Sequence, residues 1–379
     1  FWMWVSAFLG MATAYGETVL GIRYREKGRN GGWMAGPMIY LEKRLGCPEA
    51  AVLYGFFCIP AAFGMGSMVQ ANAISETVSY VYGIPEAAVG VIVVTLAGSV
   101  LAGGGKRIFL AAERLVPLSA GIYTAAALAV IVLYAGRIPG VFLAIMADAF
   151  SFRSAVGGIA GYGISQCVSY GIARGVFSNE AGLGSLAVLN GSAETAAEEI
   201  QGQWAIFEVF FDTIVICTMT ALVILCSSGG AAGLCVAHLD GAALAAWSFG
   251  AVCGKMGEWL IALAMLVFSF ATMIAWFYLG RQTLEAILEM VETMGRTERI
   301  YQWYFYLYSV CIVLGGLTRL EAVWKLSDIW NGLMAFPNLL AMLWLQRQVH
   351  FPWTASRVRD ATRKPEFRFR ANGKQRGKP

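Results

Sequence analysis

Residues 171–190 read GIARGVFSNEAGLGSLAVLN, and the way this stretch crosses a membrane decides the fold. An apolar run that begins at Ser154 meets Arg174, then Ser178, Asn179 and Glu180, with three glycines, Gly175, Gly182 and Gly184, among them. The length from Ser154 to Asn190 exceeds one span, since about 20 residues at 1.5 Å rise cross roughly 30 Å of hydrocarbon. Either a helix ends at Gly175 and SNEAG is an ordinary loop, or a helix is broken at membrane depth. Unpaired backbone in hydrocarbon costs several kcal/mol per group, so a break survives only where protein or a water-filled cavity satisfies it. Where it survives, a half-helix N-terminus offers N–H groups to a carboxylate, and freed carbonyls offer oxygens to a cation. A break near 175–184 is the expectation. A Glu at that depth is a candidate functional residue in its own right.

The composition requires the membrane. Of 379 residues, 58% are hydrophobic and 14% charged, and the mean hydropathy is +0.61. Soluble domains carry about 25% charged residues. The apolar residues also come in blocks. Stretches free of Asp, Glu, Lys and Arg run over 51–75, 87–105, 115–136, 154–173, 213–239, 259–280, 300–318 and 329–346. Segment 1–22 is a ninth, with the single acid Glu17. An all-α polytopic domain over 1–345, with about nine spans, is therefore predicted. Pro60 and Pro337 fall inside spans, where kinks are expected.

Charge placement orients the chain. The segment 346–379 holds ten of the 28 basic residues against two acids, which leaves a slightly acidic body. Lys and Arg mark cytoplasmic loops, and with this tail inside, 21 basic residues fall on the cytoplasmic side against five outside. The tail reads as a cytoplasmic anchor near anionic headgroups, although its interleaved aromatics also suit nucleic acid. No CxxC pair occurs among eight cysteines; a Cys226–Cys235 disulfide is conceivable from spacing alone. Two histidines, His238 and His350, are all the chain has, and neither is placed in the hydrocarbon. His-dependent catalysis and an intramembrane transition-metal site are thereby excluded. The chain opens at Phe1, already in an apolar run and on the outer side by loop parity, so a preceding span is expected to be missing. Unusual processing is the competing reading.

These motifs, taken together, resemble a family. FSNEAGLGS at 177–185, preceded by the GxxRG spacing, is similar to the signature of the alanine or glycine:cation symporters, also called amino acid carrier proteins or sodium:alanine symporters. Further matches follow in order: FWMWVSAFLGMAT at 1–13, KGRNGGWMAGPMIYLEKRLG at 27–46, GMGSMVQAN at 64–72 and GQWAIFEVFFDT at 202–213. FSFATMIAWFYLG at 268–280 and DIWNGLMAFPNLLAML at 328–343 complete the set. The resemblance implies a LeuT-type fold of ten core helices in two inverted five-helix repeats, of which this chain would hold helices two to ten. It implies uptake of a small neutral amino acid, alanine or glycine, coupled to Na⁺ or sometimes H⁺, with no other cofactor, in the cell membrane.

Residue by residue, the resemblance makes Phe177, Ser178, Asn179 and Gly182 substrate-facing, with Trp276 beside them. Arg174, Glu180 and Gly184 would hold the break in shape. Gln70, on one helical face with Ser67, is either a substrate partner or a polar tie between helices. For the cation the resemblance points to Ser269, Ala271 and Thr272. Here the chain departs from the family, which usually has adjacent threonines where this sequence has Ala271–Thr272. Ala275 replaces a usual glycine, and LAVLNGSAE follows the signature in place of a His-containing continuation.

Other classes fit less well. An intramembrane enzyme would need HExxH, a Ser–His pair or paired catalytic Asp residues, and none occurs. A channel would show charged rings or a filter repeat, whereas Glu17, Glu208, Asp212 and Asp328 do not recur in register. A truncated copy that no longer transports is the remaining alternative. Oligomeric state has no signal in the sequence.

Overall fold

The computed structural model describes residues 1–28, 31–101, 104–150, 160–195, 197–229, 239–291 and 297–349. The basic tail beyond Val349, the histidines and Cys235 lie outside the described residues. What is described is helical apart from one two-stranded hairpin, Glu26–Lys27 with Trp33–Met34, antiparallel.

The helices, in chain order, are α1 (Trp2–Arg23), α2 (Pro37–Lys43), α3 (Pro48–Tyr82), α4 (Glu86–Leu101), α5 (Gly104–Leu133) and α6 (Ile138–Ala149). After them come α7 (Ala160–Asn179), α8 (Ser185–Gly191), α9 (Glu198–Ser227) and α10 (Gly241–Cys253), then α11 (Lys255–Met290), α12 (Thr297–Leu317) and α13 (Leu320–Leu345). Six of the described helices are long and apolar enough to cross a membrane: α1, α3, α9, α11, α12 and the Val116–Leu133 part of α5. The sequence pattern suggested nine. Within the stretch 87–105, the residues up to Leu101 lie in the 16-residue α4. Segment 154–173 begins outside the described residues. Segment 329–346 lies in α13, 26 residues long but diluted by Ser327, Asp328, Asn331 and Asn338. In the other direction, the apolar α10 occupies a stretch read as a loop.

Two spanning helices contain a π-helical turn, Ala62–Val69 in α3 and Phe210–Ile216 in α9. The first begins two residues after Pro60, whose ring removes one backbone donor and crowds the carbonyl four residues back. The helix absorbs this by widening rather than stopping. Pro337 likewise sits inside a continuous α13.

Packing separates two neighbourhoods. In one, α1 lies along α7, α8 and the first half of α9, where small residues (Ala7, Ala14, Ala181, Ala205) form the seam. Close approach explains the glycines here: a Cβ on Gly21 would fall 2.4 Å from the carbonyl of Ala187, and one on Gly202 2.7 Å from Tyr15. In the other, α3 packs on α11, α12 and α13 around Tyr54, Met65, Trp276, Tyr304 and Tyr308. The interrupted segment between α7 and α8 lies where these neighbourhoods meet.

Candidate functional site

The helix carrying the signature does not end at Gly175. It runs on to Asn179, and the non-helical residues are 180–184. Gly175 lies within the helix, and it is a glycine because α1 passes close by: a Cβ there would stand 2.7 Å from Ser6 Oγ. Left-handed backbone marks the true break, at Glu180 (φ 55°), Gly182 (φ 93°) and Gly184 (φ 86°). Glu180 is the one non-glycine described residue with positive φ, a conformation costing of order 1–3 kcal/mol that persists only when its surroundings hold it. Those surroundings are specific. Trp276 Nε1 of α11 donates to Glu180 Oε1 at 2.8 Å, and the indole is itself fully buried.

The freed backbone groups are satisfied by side chains that the sequence reading did not assign to the site. Glu17 of α1 is fully buried and its Oε1 accepts the Gly184 N–H at 3.1 Å. Asn338 of α13, also fully buried, donates to the same oxygen at 2.6 Å and to the Gly182 carbonyl at 2.9 Å. Tyr40 of α2 donates to Asn338 Oδ1, and Tyr54 of α3 donates to the Leu183 carbonyl at 3.2 Å. With Trp276 of α11, five helices thus hold one interruption. A lone acid in an apolar helix was the available signal for Glu17; nothing local in the sequence pairs it with a residue 321 positions away.

The predicted residues separate into groups. Asn179 closes α7, accepting the Ala181 N–H on Oδ1 at 3.1 Å, while its Nδ2 is buried without a hydrogen-bond partner. Its amide also faces α1, within 3.4 Å of the position a Cβ on Gly10 would occupy. Gly182 lies buried in the break. Phe177 points elsewhere, its ring 4.2 Å from that of Trp324. Arg174 joins it there, 4.0 Å above Trp324 and ion-paired with Asp328 of α13. Ser178 turns to α9, where its hydroxyl donates to Asp212 Oδ2 and stands 3.3 Å from Cys217 Sγ.

Gln70 donates to its own helix, at Met65 O, 3.2 Å away. Thr272 similarly donates to Phe268 O at 3.0 Å, one turn before Trp276 on α11. Ser269 and Ala271 are buried beside it. The α3 turn reaches this helix directly: a Cβ on Gly66 would fall 2.2 Å from that of Trp276. Among the described residues, no group of three or more His, Cys, Asp and Glu is placed to hold a metal ion.

Comparison with known proteins adds the family. The profile of the Sodium:alanine symporter family matches residues 1–364. The Sodium/alanine symporter AgcS of Methanococcus maripaludis is 37% identical over 351 residues, 91% of this chain and 74% of that protein. An uncharacterised transporter of Haemophilus influenzae is 34% identical over 351 residues, 92% of this chain and 74% of its own. The Amino-acid carrier protein AlsT of Bacillus subtilis is 32% identical over 344 residues, 90% of this chain and 70% of that protein.

Proposed function

The chain belongs to the sodium:alanine symporter family, a family of multi-pass transporters and not of enzymes, and from that premise we propose that it imports alanine or glycine with Na⁺. The amino acid would bind at the interruption 180–184 and be exposed to each side of the membrane in turn. The observation that carries this reading is the break itself: a strained segment, held by five helices, next to a buried amide donor with no partner. An amino acid's carboxylate is an acceptor for such a donor. Asn179 and the backbone at Gly182 would meet the substrate, with Gln70 and Trp276 enclosing it; Phe177 and Ser178, which face Trp324 and Asp212, would act from behind the break. Thr272, with Ser269 and the carbonyl of Ala271, would bind the cation; a hard ion takes oxygen ligands. Ala271 has no side-chain oxygen, which keeps a proton as the competing coupling ion. The reading extends to a LeuT-type arrangement of inverted repeats with the basic C-terminal segment in the cytoplasm.

The test is uptake of radiolabelled alanine and glycine by the full-length protein in proteoliposomes. Uptake should require an inward Na⁺ gradient and fall at least tenfold in Asn179→Ala and Thr272→Ala. Uptake that ignores both substitutions would refute the site. Uptake driven by a pH gradient alone would refute Na⁺ coupling.

A further inference from the structure

Resting on the symporter reading, we propose that Ser327 and Asn331 of α13 accept the ammonium group of the substrate and so select α-amino acids over other small carboxylates. The break supplies a donor for the carboxylate, the Asn179 amide. An ammonium brings three N–H donors of its own, and in a site closed to water each needs an acceptor.

Two such acceptors lie on one face of α13. Ser327 is fully buried and Asn331 is 6% exposed, yet neither Ser327 Oγ nor Asn331 Oδ1 has a hydrogen-bond partner. The large majority of buried polar atoms are paired, so an orphan points to a missing ligand. Four residues apart, the two side chains share a helical face, and both meet the π-helical turn of α3. A Cβ on Gly64 would stand 3.4 Å from the Ser327 Cα, and Asn331 Nδ2 donates to a weak acceptor, Met65 Sδ at 3.2 Å. Gln70, which encloses the substrate in the proposed site, donates to the carbonyl of the same Met65 at 3.2 Å.

Two cross-ties set the depth. Arg174 of α7 pairs with Asp328 of α13, and further along both segments Asn338 donates to the Gly182 carbonyl. The ties follow the same order on each side, so the two segments run side by side in one direction. Asn179 lies between the ties on one side and Asn331 between them on the other. At 1.5 Å per residue they stand about 7.5 and 4.5 Å past the Arg174–Asp328 tie. Asn338 falls on the face shared by Ser327 and Asn331, three turns on from Ser327. An amino acid held at Asn179 by its carboxylate would therefore carry its ammonium in the layer of Asn331.

Charge favours this ligand. Asp328, the neighbour of Ser327, is matched by Arg174, so Ser327 and Asn331 present neutral oxygens. A zwitterion adds no net charge and suits neutral partners at both ends, whereas a bare Na⁺ there would stay uncompensated. Glu17 and Glu180 each keep one buried oxygen without a partner as well. Both belong to the brace of the break, their other oxygens bonded to Gly184, Asn338 and Trp276, and they are the competing acceptors.

The experiment is equilibrium binding of radiolabelled alanine to the purified full-length protein at saturating Na⁺. Lactate, with a hydroxyl in place of the ammonium, is the competitor. The wild type should prefer alanine about a hundredfold or more, since a site built to bond a group rejects the analogue without it. Asn331→Leu should weaken alanine on the order of tenfold and leave lactate nearly unchanged, so the preference collapses. Asn331→Asp, which keeps an acceptor, should retain alanine binding. Ser327→Ala should lower the preference about threefold, and it serves as well if Asn331→Leu does not fold. A preference that stays at the wild-type value in both Asn331→Leu and Ser327→Ala, with alanine and lactate weakened alike, would mark a structural role and overturn the proposal. So would loss of the preference in Glu180→Gln alone, or a shifted Na⁺ half-saturation as the only effect of Asn331→Leu. A wild type that binds neither alanine nor glycine in Na⁺ would instead defeat the symporter reading, and this assignment with it.

Discussion

The π-helical turn of α3 buries Ala62, Gly64, Met65, Gly66, Ser67 and Val69, whereas that of α9 buries Thr213 alone. The first is built of small and apolar residues pressed against α11, α12 and α13. Its glycine lets the backbone come within contact of Trp276. The second carries Asp212 and Thr213 and faces the last turn of α7, with Phe210 and Phe211 exposed on its outer side. One backbone irregularity therefore serves two ends. In α3 the widened turn lets helices approach; in α9 it presents a carboxylate. Irregular geometry by itself does not mark a polar site, and the residue types placed on it decide.

Substitutions at the two turns should separate these roles, and the largest effect belongs to α3. Gly66→Val puts branched carbon into the Trp276 side chain, and overpacking of this severity should cost about 3 kcal/mol or more, read as thermal unfolding in detergent. If the protein tolerates it, the α3 turn is not a packing device. Trp276→Phe keeps most of the ring against Gly66 but removes the bond to Glu180 Oε1. A loss of about 2 kcal/mol is expected because a buried acceptor is left without its donor, together with a raised half-saturation for alanine. An unchanged half-saturation would disconnect the α3 turn from the break.

Thr213→Val should cost only about 1 kcal/mol of stability, since one hydroxyl bond is lost and the shape is kept. A drop as large as that of Gly66→Val would erase the contrast between the turns. The smallest effect should come from Lys325→Ala, far from either turn. Its contact with Glu321 spans one exposed helical turn of α13, and such pairs contribute little. The melting temperature should not move measurably, and a clear shift would show that the scale used for the other three is unsound.

Much of this arrangement was legible in the sequence. The long apolar runs located α1, α3, α9, α11 and α12, and the unusual polarity of FSNEAGLGS located the interruption. Two things were not legible. A glycine inside an apolar run can mean positive φ or close approach, and only neighbours distinguish them; Gly175 is the second kind, Gly182 the first, and Gly184 is both. The partners of the break were also hidden. Glu17, Tyr40 and Asn338 are far apart in the chain and meet only once α1, α2 and α13 pack. Asn338 in particular sits in a stretch that reads as ordinary span, one residue after a proline. Counting charges also ignores length and neutral polar residues, so the nine runs it picks out include the 16-residue α4 and α13, which carries Asn331 and Asn338.

One contact at the far end of α8 bears on how force travels through the molecule. Arg25, just beyond α1, donates to the carbonyls of Gly191 and Ala193 at 3.0 and 2.6 Å and to that of Thr195. The same α1 supplies Glu17 to the opposite end of α8. A seven-residue helix in isolation frays within a turn, because so few backbone bonds hold it. Clamped at both ends to one long neighbour, it behaves as a stiff rod riveted to a beam. A tilt imposed at Glu180 would not dissipate along α8 but would arrive at Thr195 as torque on α1, so the two should swing as a single lever.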